Sequence, residues 1–233
     1  MLFKRIAVAV LVLSLGACAA PRRHPSAPRP PNQAGLALQS LPPPGAYKID
    51  SPGSELRVLV YRAGPLANLG HNHVMVSHAV TGLVQVGSSI STSSFSLKVP
   101  VESFAVDERE ARSEEGDDFP GDIPEDAKTG TRRNMLSAAV LNAAEFPDIA
   151  VTSATLSGTA DALTAVLSIS IAGHEASVSA PCSLQGDAHT LTAVGSVELR
   201  QTAIGMTPYS LLHGALQVQD AMQVKFRIVV PIG

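Results

Sequence analysis

Leu163-Thr164-Ala165-Val166-Leu167-Ser168-Ile169-Ser170-Ile171 decides the fold class. Leu163, Ala165, Leu167, Ile169 and Ile171 share one parity, while Thr164, Ser168 and Ser170 share the other. A period of two belongs to a strand whose faces meet different surroundings. The same sorting recurs outward in both directions. Leu56, Val58 and Val60 alternate with Arg57, Leu59 and Tyr61, and Phe95, Leu97, Val99 and Val101 alternate with Ser94, Ser96 and Lys98. Near the C-terminus Val224, Phe226, Ile228 and Val230 oppose Lys225 and Arg227. With weaker alternation over 72–87, 148–157, 174–184 and 190–200, about eight strands at hairpin spacing predict an all-β domain, a closed barrel or a sandwich.

One region interrupts this period. Residues 102–126 hold eleven of the chain's 20 acidic residues against only Arg109 and Arg112, with Gly116, Pro120, Gly121 and Pro124 among them. Such a run predicts a solvated loop or a lid over one barrel end. Pro124, Glu125 and Asp126 then suit the first turn of a short helix reaching about Leu136, because acidic groups favour the positive end of the helix dipole. A helix between the middle strands would plug or cap the barrel.

Residues 1–17 read as a secretory signal: Lys4 and Arg5, an apolar run from Ile6 to Leu15, then Gly16 and Ala17. The run is too short to span a bilayer as a mature helix. Leu15-Gly16-Ala17-Cys18 resembles the bacterial lipobox, which implies cleavage before Cys18 and a lipid anchor on it. Ala19 stands where an aspartate marks inner-membrane retention, so the resemblance implies a cell-envelope protein on the outer membrane, facing the periplasm. Residues 18–45 form a tether, since eight of the chain's 17 prolines lie between Pro21 and Pro44 with no apolar periodicity. Residues 46–233 form the barrel domain.

Composition narrows the partners. The net charge is −3, or −5 without Lys4 and Arg5, and no basic face appears in the folded part. With 4% aromatic residues and no Trp there is little surface on which bases would stack, so nucleic acid is excluded as a partner. The two cysteines, Cys18 and Cys182, make no disulfide framework, and Cys182 reads as a buried thiol.

Several motifs beyond Tyr47 are similar to those of the YceI-like family. They are Tyr47-Lys48-Ile49-Asp50-Ser51, Gly70-His71-Asn72-His73, Arg133-Asn134-Met135-Leu136 and Glu145-Phe146-Pro147-Asp148-Ile149. The segment Gln201-Thr202-Ala203-Ile204-Gly205-Met206-Thr207-Pro208-Tyr209-Ser210, followed by Gly214 to Asp220, resembles the family's last hairpin most closely. Ala203 departs from a commonly acidic position, and Thr81-Gly82 is all that stands of an aromatic motif. The resemblance implies a lipocalin-like antiparallel barrel, exported and enclosing one long polyisoprenoid or quinone-type lipid, with a homodimer among the assemblies it allows.

The residues support a lipid cavity independently. Small aliphatic inward residues leave an eight-stranded barrel unfilled, and the predicted wall comprises Val58, Val60, Phe95, Leu97, Leu167, Ile169, Phe226 and Ile228. His71 and His73, two apart on a strand, share a face, a spacing that zinc sites use. A catalytic zinc needs a third ligand, and His78, His174 and Glu175 show no convergence in sequence. The expectation is therefore a pair of hydrogen-bonding histidines at the barrel mouth that position a lipid headgroup or satisfy loop carbonyls left unpaired where the strand begins, with no metal and no cofactor besides the bound lipid. No nucleophile elbow or phosphate-binding loop occurs, and the order of Glu114, Glu115, Asp117 and Asp118 is not that of a calcium loop. A lipid carrier without catalytic residues is thus expected first. A metal-dependent envelope enzyme using His71 and His73, or a packed structural barrel without ligand, are the alternatives.

Overall fold

In the computed structural model, which describes residues 38–232, the alternating stretches form one antiparallel sheet. Its strands are β1 (Gly45–Lys48), β2 (Glu55–Ala63), β3 (His73–Ser77), β4 (Thr81–Val86), β5 (Ser94–Pro100), β6 (Ala105–Val106), β7 (Asp148–Gly158), β8 (Leu163–Ile171), β9 (His174–Gly186), β10 (Thr190–Arg200), β11 (Ser210–Leu211) and β12 (Leu216–Pro231). Eight of them have six residues or more, the number expected. Two helices, α1 (Arg109–Ser113) and α2 (Glu125–Leu136), lie between β6 and β7.

The sheet runs β1-β4-β5-β7-β8-β9-β10-β12-β2-β3-β6, with β11 paired to the start of β12. Residues 49–54 bridge β4 and β12. The N–H of Ile49 donates to the Gly82 carbonyl of β4 (3.1 Å), and the next N–H, of Asp50, donates to the Val229 carbonyl of β12 (2.8 Å). Fully buried Ser54 accepts from the N–H of Val229 (2.9 Å) and donates to the carbonyl of Asp50 (2.7 Å). A twisted sheet whose β4 and β12, six places apart in that order, are bonded through one short segment is curled into a barrel.

Two sequence expectations need correction. The stretch 72–87 is not one strand, because the hydroxyl of Ser77 accepts the N–H of Ala79 (3.1 Å) and turns the chain from the flank of β2 to that of β1. β4 then lies so close to β5 that a side chain at Gly82 would meet the Ser96 carbonyl at 2.1 Å.

The acidic segment is solvated on one face only: nine of its eleven acidic residues are exposed, as expected, but the segment is folded onto the wall of the barrel. Its Ala111 and Phe119 pack on the outside of β2 and β3, burying Leu59, Val74 and Val76 in a second small core. Arg57, on the polar parity of β2, is 8% exposed and donates to Glu55 (2.8 Å), Glu114 (2.7 Å) and Glu115 (2.8 Å). Glu114 and Glu115 thus supply counter-charge for cations on the outer wall, Lys225 of β12 included.

Helix α2 forms where the sequence predicts it. Pro124 holds extended backbone at its N-cap, Glu125 and Asp126 fill the first turn, and Arg133 sits in the last. Arg132 donates to the carbonyls of Glu102 and Phe104, pinning the helix so that Met135 enters the main core.

Candidate functional site

The inner face of the barrel surrounds open space. Val58, Phe95, Leu97, Leu167, Ile169, Phe226 and Ile228 line a cavity of about 240 Å³, and Val60 lines a second of about 310 Å³ that shares Val58, Phe104, Ile149, Ile171 and Met222 with the first. The structure therefore brings all eight sequence-predicted wall residues to the lumen. Room is left by small residues in consecutive strands. Ala165 of β8 faces Ala180 of β9, and Gly195 of β10 faces Phe226 of β12 in register, so that the ring lies where a Gly195 side chain would stand.

The two cavities differ in chemistry. The first has no charged residue in its wall and is bounded at one end by Leu41, Ile90 and Leu184. The second, at the other end, carries Tyr61, Arg62, His71, His73, Asn134, Gln201 and Tyr209. Charged and imidazole side chains of the lining are confined to that mouth.

His73 opens β3, and its Nδ1 lies 2.6 Å from Oδ2 of Asp107. The other oxygen of Asp107 accepts from the N–H of Val74 (2.9 Å) and from Arg112 (2.7 Å). Arg112 also donates to the carbonyls of Asn72, Pro120 and Gly121, so one guanidinium ties the outer segment to the strand that carries His73. Asp107 and Arg112 are 1% and 2% exposed. Burial pushes the Asp107 carboxyl up, but the bonds from His73, Val74 and Arg112 outweigh it and hold the group below its ordinary value. Asp107 adopts a φ of +56°, uncommon outside glycine. Sequence reasoning missed both residues, and the only signal was that Arg112 is one of two arginines in the acidic run.

Burial, then the neighbouring His73 and Arg112, lower the pKa of His71 from its ordinary value. The two histidine rings lie 6.4 Å apart, edge to face. The other candidate ligands lie elsewhere: Nδ1 of His78 is 2.9 Å from the carbonyl of Ser54, and the ring of His174 lies against Gly205. Among the described residues no three His, Cys, Asp or Glu side chains are grouped to hold a metal ion. Cys18 lies outside the described residues.

Cys182 also lines the apolar cavity, and burial pushes its thiol up to about 11. Against an ordinary thiol near 9.0, that leaves roughly two orders of magnitude less thiolate at neutral pH. Alkylation of Cys182 at pH 7.5, followed by mass spectrometry, is expected to be slower by about that factor than alkylation of the urea-unfolded chain. Equal rates would show that the wall does not shield it.

The profile of the YceI-like domain matches residues 47–230. No curated protein matches the chain. Among solved structures, BcnA of Burkholderia cenocepacia superimposes with a TM-score of 0.56 at 14% identity, over 78% of this chain and 98% of that one. A Campylobacter jejuni YceI protein matches with a TM-score of 0.46 at 8% identity, over 65% of this chain and 80% of that one.

Proposed function

We propose, from the premise that this chain belongs to the YceI-like family, that it is a carrier holding one long isoprenoid or quinone-type lipid, and not an enzyme. The family is associated with barrels that bind apolar lipids. The observation that carries the proposal is an inner cavity without charged residues, with guanidinium and imidazole side chains at one mouth only, which matches a hydrocarbon tail with a single polar head. Burial of about ten methylenes contributes roughly 8 kcal/mol before ordering costs. In this reading His71, and His73 oriented by Asp107, meet the headgroup, while Val58, Val60, Phe95, Leu97, Leu167, Ile169, Phe226 and Ile228 grip the tail.

Mass spectrometry of the organic extract of purified protein is expected to show one prenyl lipid species per chain. Extracts free of lipid, or stoichiometric zinc lost in a His71→Ala/His73→Ala variant, would overturn the proposal.

The lipobox-like Leu15 to Cys18 supports an anchored form in the bacterial envelope, on the outer membrane facing the periplasm. Cys18→Ser is expected to move the protein from the membrane fraction to the soluble fraction. Retention in the membrane after carbonate washing, with no acyl group found on the native protein, would remove the anchor from this picture.

A further inference from the structure

Two loops lie side by side at the barrel end that carries His71 and His73. The N–H of Leu66 donates to the carbonyl of Ala215 (2.8 Å), tying 64–70 to the turn 212–215. A side chain on Gly64 would collide with that carbonyl, so the approach needs glycine there. Apolar side chains of these loops face water: Leu69 and Leu212 are 67% and 66% exposed, and Leu211 is 44% exposed. Leu211 also lines the mouth cavity, so the exposed rim and the lumen are continuous.

Leu212, His213 and Gly214 hold φ of +51°, +56° and +90°. Left-handed backbone is uncommon in leucine and persists only where the surroundings impose it. Here it displays the side chain instead of hiding it. Acidic side chains are missing from both loops. In an acidic chain, residues 63–73 and 203–219 contain no Asp, Glu, Lys or Arg, and the cation beside them, Arg62, donates to the Gly70 carbonyl.

We propose that this leucine rim docks on the surface of a lipid bilayer, so that cargo passes between membrane and cavity without crossing water. The docking stands on the rim alone, and only its role in loading rests on the carrier reading above. A bilayer boundary takes exposed leucines into its acyl region and repels acidic side chains when its lipids are anionic. This surface offers the leucines and lacks the acids. A protein partner presenting Arg or Lys would find no carboxylate in these segments to pair with.

The chain has no Trp, so Leu212→Trp introduces a single indole at an exposed position. Ala188→Trp does the same in the exposed β9–β10 turn, which the pairing of Thr190 with Pro231 places at the opposite end of the barrel. Full-length protein is mixed with phosphatidylcholine–phosphatidylglycerol vesicles whose acyl chains are brominated near the headgroup. The expected result is at least twofold quenching of the Leu212→Trp indole and none of the Ala188→Trp indole. Leu69→Ser/Leu212→Ser is expected to keep its lipid content and to slow transfer of a fluorescent prenyl lipid to vesicles at least tenfold.

No quenching in protein that carries extractable lipid would overturn the docking face and leave the carrier reading standing. Quenching in protein without any lipid would uphold the face and overturn the carrier reading alone. A blue shift that grows with protein concentration without vesicles would assign the rim to a second copy and overturn the proposal.

Discussion

Leu167→Trp is expected to leave the protein folded and to reduce its extractable lipid at least tenfold. Leu167 sits mid-strand on β8, opposite Ser153 of β7 and Val178 of β9, half-buried and facing the apolar cavity. In a close-packed core the added bulk would force neighbours off their rotamers, at about 1–3 kcal/mol. In a lumen with about 240 Å³ of open space it enters volume that only cargo would occupy. The thermal midpoint should therefore move by no more than a few degrees, since about 1 kcal/mol corresponds to roughly 2–4 °C in a domain of this size. Calorimetry and lipid extraction on one preparation check both halves. A large fall in midpoint, in a protein whose parent never carried lipid, would show a solid barrel and remove the carrier function. Leu167→Asp is a blunter variant, because an unpaired charge in apolar surroundings costs several kcal/mol and threatens the fold together with the lipid.

Arg112→Met should produce the largest loss of stability of any single substitution at the mouth. It removes the guanidinium from Asp107, which stays buried beside His73, and it orphans the carbonyls of Asn72, Pro120 and Gly121. Breaking one side of a buried ion pair costs about 3–5 kcal/mol. That corresponds to a fall of roughly 6–20 °C in thermal midpoint. Asp107→Asn combined with Arg112→Met is expected to recover part of it, because no charge is then left unpaired. Losses that simply add in the double variant would show that the two groups are not coupled.

The same network predicts an acid limb in the stability curve. Asp107 titrates lower in the folded chain than the ordinary carboxylate near 3.9. Between the two values the unfolded chain binds the extra proton, so stability rises with pH there. The contribution is complete above about pH 4 and is lost as pH falls through the folded value. Urea titrations from pH 5 to pH 2 should show this limb in the parent and a shallower one in Asp107→Asn. Equal slopes would mean that Asp107 titrates alike in both states.

Strand period, the helix ending at Leu136 and the inward parity of Val58, Leu97, Leu167 and Phe226 were legible in the sequence, because each depends on residues a few positions apart. Backbone geometry alone sends alternate side chains to opposite faces, and a proline followed by acidic residues starts a helix wherever it lies. What covers the outer face was not legible. Arg57 meets Glu114 and Glu115 across more than fifty residues of chain, and a period of two cannot separate an outward cation in water from one buried beneath a folded loop. Asp107, Arg112 and His73 likewise become one network only when β3, β6 and α1 are brought together. The division of 72–87 into two strands also needed closure, since Ser77 turns the chain toward a flank that lies beside it only in the curled sheet. The sequence by itself determined which side chains face inward, because that is a property of the local backbone. Tertiary structure alone decided how much open space they enclose and which side chains complete its polar mouth, because a cavity is the difference between the circumference of the barrel and the volume of all the side chains within it.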